Sequence, residues 1–230
     1  NPDSMIIGTY SGVEVYHFKS GIFTRFNAPG ILPVRVDDIL KDKQGVLWFS
    51  THYDGILTYN PANKETRHYH KDAPQCKEMV SNNIISSFID SKNRLWFGTS
   101  NGGLMLYDPS SDSFIVYGKE NNLIQRDIYA IEEDTFGNLW MSTDNGIYYF
   151  NPNSENFTQY NVQNHLISNQ FNASSGYKDA NGNIYFGSIN GVCFFKPENL
   201  IVNNSASDMH ITFSDFKLFN KHIMPKENGI

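Results

Sequence analysis

The sequence predicts an all-β chain, a β-propeller of four-stranded antiparallel blades, and three observations lead there. A five-residue phrase recurs. Leu47-Trp48-Phe49-Ser50-Thr51, Leu95-Trp96-Phe97-Gly98-Thr99 and Leu139-Trp140-Met141-Ser142-Thr143 hold all three tryptophans; Ile184-Tyr185-Phe186-Gly187-Ser188 is a fourth copy and Met5-Ile6-Ile7-Gly8-Thr9 a weaker fifth. The copies lie 42 to 48 residues apart, a period that marks a repeat architecture. Tight-turn signals bracket every copy, and the composition suits pleated sheet: charged residues are 18%, aromatics 14%, with 13 Tyr and 17 Phe.

The elements follow from the turns. Upstream of each full copy stands Asp-x-x-Gly, as Asp42 with Gly45, Asp134 with Gly137 and Asp179 with Gly182; Asp90 is followed by Asn93 in the glycine place. Asp favours the first position of a type I turn and Gly the fourth, with Asn the best substitute where φ is positive. Downstream a second turn ends in Gly12, Gly55, Gly103, Gly146 or Gly191, and the next apolar stretch closes on Asn60-Pro61, Asp108-Pro109 or Asn151-Pro152. Proline cannot donate to a ladder, so it ends a strand. Cutting there leaves four strands per unit, A to D; in one unit they are Ile84–Asp90, Arg94–Ser100, Leu104–Asp108 and Ser113–Tyr117, followed by a polar loop over 118–127. The stretch 121–133 has a helical alternative, but Ile128-Tyr129-Ala130-Ile131 aligns with the other A strands and is assigned to a strand. A four-stranded sheet at this period is a propeller blade.

Units fall near 1–30, 31–80, 81–125, 126–168 and 169–200. The first lacks strand A and the last loses the pattern after Lys196-Pro197, so three whole and two partial units form an incomplete arc of about five blades. Residues 201–209 read as a linker, and 210–230 open a new strand pattern. Trp48, Trp96, Trp140 and Tyr185, one per blade, are read as structural, each large ring burying on the order of 150–250 Å² between neighbouring blades.

Lys plus Arg is 18 and Asp plus Glu 24, a formal net charge of −6, which excludes a phosphate-gripping nucleic-acid binder. No uncharged apolar run approaches the ~18–20 residues that span a bilayer. The start, Asn1-Pro2-Asp3-Ser4, shows no signal-peptide pattern, so any such peptide was removed or never belonged to this piece. Cys76 and Cys193 make neither a disulfide framework nor a metal quartet, and nothing in their spacing argues for a bond between them.

The phrase from Asp134 to Ile147 and its copies resemble the two-component regulator propeller repeat. The run 211–223, with Phe216-Lys217-Leu218-Phe219-Asn220-Lys221 inside it, is similar to the opening of the tyrosine-rich Ig-like domain that follows such propellers. Together they resemble the periplasmic sensor region of Bacteroides-type hybrid two-component system proteins. The resemblance implies an ectodomain of an inner-membrane receptor that senses oligosaccharide released from a glycan and signals towards a kinase. In that family two large propellers, the Ig-like domain, a membrane helix, a kinase, a receiver and a DNA-binding domain follow one another. Here only about five units are present, without membrane helix or kinase motif. The expected partners are an oligosaccharide and a second copy in a homodimer; no nucleic acid is expected on this segment, and membrane attachment belongs to other parts of the chain.

Motifs for chemistry are few. No G-x-S-x-G, P-loop, G-x-G-x-x-G or H-E-x-x-H occurs. His68 and His70 share a face of a D strand, yet two ligands do not make a zinc site. The pairs Asp37-Asp38 and Glu132-Glu133 suggest glycosidase carboxylates, but neighbours on a strand point to opposite faces, so neither pair is a natural dyad. No catalytic residue, metal or cofactor is expected, and the chain is read as non-enzymatic. Binding is the better reading. B–C turns and D–A loops emerge on one face, the mouth. Its candidate ligand contacts are His52, Tyr53, Asp54, Asn101, Arg126, Asp144, Asn145 and Asn190, with Tyr10, Arg35, Gln125, Asn169 and Gln170 beside them. Aromatic faces flanked by Asn, Asp and Arg suit sugar rings, hydroxyls and uronates; Asn, Asp and Gly also belong to tight turns for their own sake. A structural or dimerising segment, and a propeller lyase or hydrolase, are the competing readings.

Overall fold

The computed structural model describes residues 3–31, 33–76, 78–121, 123, 127–201, 217–218 and 221–222. It is a five-bladed β-propeller. The first blade pairs β1 (Ser4–Thr9), β2 (Gly12–His17) and β3 (Ile22–Arg25). The second pairs β4 (Val36–Lys41), β5 (Leu47–Thr51), β6 (Ile56–Asn60) and β7 (Glu65–Tyr69); the third pairs β8 (Ile84–Ile89), β9 (Leu95–Thr99), β10 (Leu104–Asp108) and β11 (Ser113–Tyr117). The fourth holds β12 (Ile128–Glu133), β13 (Leu139–Thr143), β14 (Gly146–Asn151) and β15 (Asn156–Tyr160), and the fifth β16 (Phe171–Lys178), β17 (Ile184–Ser188) and β18 (Gly191–Phe195). Every neighbouring pair is antiparallel, and the sheets pack in chain order: β1 on β4, β4 on β8, β8 on β12, β12 on β16. The first sheet is B-C-D and the fifth A-B-C. Residues 128–133 are strand, so the repeat overrode the local helical pattern.

One stretch differs from its reading. The pattern after Lys196 does not simply dissolve, because Pro197–Ile201 form a short helix, α1. Its Leu200 packs on the cluster of Trp140, Leu166, Ile184 and Cys193, covering apolar surface in the blade that lacks a D strand. Beyond it, β19 (Lys217–Leu218) pairs antiparallel with β20 (Lys221–His222). The rest of the 201–209 linker and of the 210–230 strand pattern lies outside the described residues.

Each position of the recurring phrase has a physical task. The first residue is buried: Leu47, Leu95 and Leu139 all lie in the core. The aromatic faces the next blade. Trp48 meets Tyr107 at 4.7 Å, Trp96 meets Phe150 at 5.8 Å and Trp140 meets Phe195 at 4.7 Å. The third residue faces backwards, as Phe97 does on Trp48. The fourth must be small, since a Cβ on Gly98 would lie 2.3 Å from Ser86 Oγ and 2.7 Å from a methyl of Ile128 on the following blade. The Asp of Asp-x-x-Gly does more than shape its turn. Asp42, Asp90 and Asp134 accept the Trp48, Trp96 and Trp140 indole N–H at 2.8, 2.9 and 3.0 Å, while Asp179 accepts the Tyr185 hydroxyl at 3.2 Å. The other carboxylate oxygen takes the backbone N–H four residues on, from Val46, Arg94, Asn138 and Asn183. Gly45, Asn93, Gly137 and Gly182 close these turns at positive φ. Turn and tryptophan are therefore one hydrogen-bonded unit.

Candidate functional site

The mouth turns are built by the last residue of the phrase. The hydroxyls of Thr9, Thr51, Thr99, Thr143 and Ser188 donate to the carbonyls of Gly12, Gly55, Gly103, Gly146 and Gly191 at 2.8–3.0 Å. Glycine is required where the turn crosses the end of the D strand: a Cβ on Gly55, at φ +73°, would sit 2.1 Å from the Tyr69 carbonyl oxygen.

At this same end every A strand bulges. The register shifts between Val36 and Asp38, Ile84 and Ser86, Ile128 and Ala130, and over the longer stretch from Phe171 to Gly176. A bulge releases a residue from the ladder and re-aims its side chain. In the second blade that residue is Asp37. Its carboxylate accepts Arg35 Nε at 2.6 Å and lies 3.0 Å from His52 Nδ1. The Arg35 guanidinium sits over the Tyr10 ring at 4.6 Å, and His52 meets Tyr53 edge-on at 4.3 Å. Tyr10 is 81% and Tyr53 69% exposed, a large apolar offering to solvent. Five side chains from two blades thus form one strip, two open aromatic faces about an Arg–Asp–His trio. It can stack a ring, donate from a guanidinium and donate or accept through an imidazole.

The other candidates sit over their own blades. Asn101 is left-handed at φ 56°, and its backbone N–H donates to Asp127 Oδ1 at 3.0 Å. The Asn145 carbonyl accepts Gln159 Nε2 at 2.7 Å, and Asn190 donates its amide to the Ile167 carbonyl at 3.3 Å. The Asp54 carbonyl accepts His68 Nε2 at 2.6 Å, and Asp144 lies two blades on, in the turn between β13 and β14. Asn169 Oδ1 accepts the Val162 N–H, and the Gln170 carbonyl accepts that of Ile189. Gln125 and Arg126 lie outside the described residues. Asp37 was missed as a mouth residue because only the bulge aims it there, and alternation along a strand carries no sign of a bulge.

The paired acids diverge. Asp38 accepts the Ser87 N–H and hydroxyl at 2.9 and 2.8 Å, tying the second blade to the third. Buried Glu133 does the same for Ser91 at 2.8 Å each. Glu132 lines an axial cavity of about 270 Å³, which Asp37 and Asp38 of the second blade also line, with Ser87, Tyr129 and Ser174. Burial pushes its carboxyl up to about 7, against the pull of Lys178. Among the described residues no three His, Cys, Asp or Glu side chains are placed to hold a metal ion; His68 and His70 rings lie 4.7 Å apart. Cys76 and Cys193 are buried free thiols.

Residues 30–53, 78–101 and 122–145 match the family model described as "Two component regulator propeller". The chain carries two-component regulator propeller repeats. Each match covers an A strand, its Asp turn and the phrase, and reaches into the mouth turn. The chain is 28% identical to the extracellular domain of a hybrid two-component system of B. thetaiotaomicron, with a TM-score of 0.78 over 98% of this chain and 32% of that one. Histidine kinase P4 of Formosa agariphila is 26% identical over 80% of this chain and 17% of its own length. The chain therefore spans a third or less of these relatives. Virginiamycin B lyase of Staphylococcus aureus, 14% identical with a TM-score of 0.59 over 81% of this chain and 63% of that one, shares the fold. Among the described residues no helix is long and apolar enough to cross a membrane.

Proposed function

We propose that this chain is a ligand-sensing part of the periplasmic ectodomain of a two-component receptor, non-catalytic, and that it binds an oligosaccharide at the strip Tyr10–Arg35–Asp37–His52–Tyr53. The observation that carries the reading is this strip of exposed aromatic rings around a fixed guanidinium, on a chain similar over nearly its whole length to a sensor ectodomain. Aromatic faces take the C–H side of a sugar ring, and the Nη groups of Arg35 make no hydrogen bond among the described residues, leaving them for hydroxyls or a uronate. A ligand seated across two blades changes signalling only through a difference in its affinity for two receptor states.

Isothermal titration of the full ectodomain with plant, host and microbial oligosaccharides tests this. At least one is expected to bind, with affinity falling tenfold or more in Tyr53→Ala and Arg35→Leu at unchanged Tm. Binding that both variants leave intact would move the site elsewhere.

A further inference from the structure

A cavity of about 570 Å³ lies between the second and third blades, at the end of the sheets opposite the mouth, where the Asp turns stand. The repeat supplies its own explanation for this gap. Across from the second residue of each phrase (Ile6, Trp48, Trp96, Trp140 and Tyr185), in register on the C strand, stand Val15, Thr58, Leu106, Tyr149 and Phe194. Four of the five are apolar fillers. In the second blade the place is held by Thr58, short and polar, and two residues before the tryptophan Val46 stands where the third blade has Arg94. Both Thr58 and Val46 line the cavity.

Its walls are fixed. Trp48 is stacked on Tyr69 at 5.9 Å, and the hydroxyls of Tyr69 and Tyr107 both donate to Asp112 Oδ1, at 2.7 and 2.8 Å. Arg67 is clamped between Glu65 at 3.0 Å and Asp112 at 2.7 Å. Around this frame stand Gln44, Asn60, Lys92 and Asn93. Anions would meet Asp42 and Glu65, cations would meet Arg67 and Lys92, and an apolar guest would strand polar groups without partners. Hydroxyl groups, which donate and accept alike, match such a mixed lining, and the volume lies in the range of small-molecule sites.

We propose that this inter-blade cavity binds a neutral polyhydroxylated molecule of one or two sugar rings, at a site separate from the mouth and independent of the mouth reading. The chain holds three tryptophans, so its spectrum reports the site directly. In ¹H–¹⁵N spectra of the uniformly labelled chain, three indole N–H resonances are assigned with Trp48→Tyr, the residue of the fourth phrase copy. The probes are neutral mono- and disaccharides: glucose, galactose, xylose, arabinose, cellobiose and lactose. At least one is expected to move the Trp48 resonance saturably while those of Trp96 and Trp140 stay still. Thr58→Leu places in the second blade the residue the third already uses; it is expected to keep the other two indole resonances and weaken binding at least tenfold. Tyr53→Ala is expected to leave the sugar-induced shift of the Trp48 resonance unchanged. A silent Trp48 resonance across all six sugars overturns the proposal, as does a shift that survives Thr58→Leu or vanishes in Tyr53→Ala.

Discussion

Replacing Asp134 with asparagine isolates the bond between turn and tryptophan. The Asp134 side chain is almost fully buried and accepts four donors: the Phe136 and Asn138 backbone N–H at 2.9 Å each, Asn138 Nδ2 at 3.1 Å and Trp140 Nε1 at 3.0 Å. Asparagine keeps one acceptor oxygen for the turn but aims an NH₂ at the indole N–H, leaving two donors face to face in a dry site. Hydrogen bonds to a charged acceptor contribute about 1.5–3 kcal/mol each, and a buried unpaired donor costs about 1–3 kcal/mol. The change should therefore destabilise by roughly 2–4 kcal/mol. At 2–4 °C per kcal/mol for a chain of this size, Tm should fall by roughly 5–15 °C. Urea denaturation followed by tryptophan fluorescence measures it, with Trp140→Phe and the double variant completing a cycle. Phenylalanine removes the indole N–H, so Trp140→Phe should cost less when Asp134→Asn is already present, a coupling of about 1 kcal/mol or more. A loss below about 0.5 kcal/mol for Asp134→Asn, or strict additivity, refutes the claim that Asp and Trp act as one unit.

Other outcomes follow from the same geometry. Gly146→Ala should destabilise more than Gly45→Ala in thermal melts. Both have positive φ, but the new Cβ meets the Tyr160 carbonyl oxygen at 2.2 Å in the first and nothing nearer than 3.9 Å in the second, which leaves about 1–2 kcal/mol of backbone strain alone. Because the folded-state pKa of Glu132 is raised from 4.5 to about 7, the native state holds that proton more tightly than the unfolded chain. Its contribution is present below pH 4.5 and lost as pH rises towards 7, so Glu132→Gln should flatten the stability–pH curve over that window in urea titrations. Burial pushes the Cys193 thiol up to about 11 and the Cys76 thiol upward too, so neither should react with a disulfide reagent at pH 8 until the chain unfolds, as thiol release against urea will show.

Much of the molecule was legible without coordinates. The spacing of Trp48, Trp96 and Trp140 places the blades, and the Asp turns and glycine turns place strand ends to within a residue or so: Leu95–Thr99 against the expected Arg94–Ser100. These signals are local, since turn chemistry and period-two burial act over a few residues and repeat with the sheet. The helix over 197–201 escaped because no repeat copy offers a template for it. Tyr10, His52 and Tyr53 were read as mouth residues from their turns, and strand alternation already separated Glu132 from Glu133, but the union of the mouth residues with Asp37 and the partners of Asp38 and Glu133 on the neighbouring blade were not legible.

What the amino-acid order determines by itself is the blade: how many strands, where they turn, and which ring must be covered. The tertiary structure alone decided which side chains meet, because most of those meetings join residues far apart in the chain across bulged strands and neighbouring sheets, as Tyr10 meets Arg35 and Asp38 meets Ser87. A bulge leaves no mark in hydrophobic alternation, and a gap such as that beside Thr58 exists only once the third blade is set against the second.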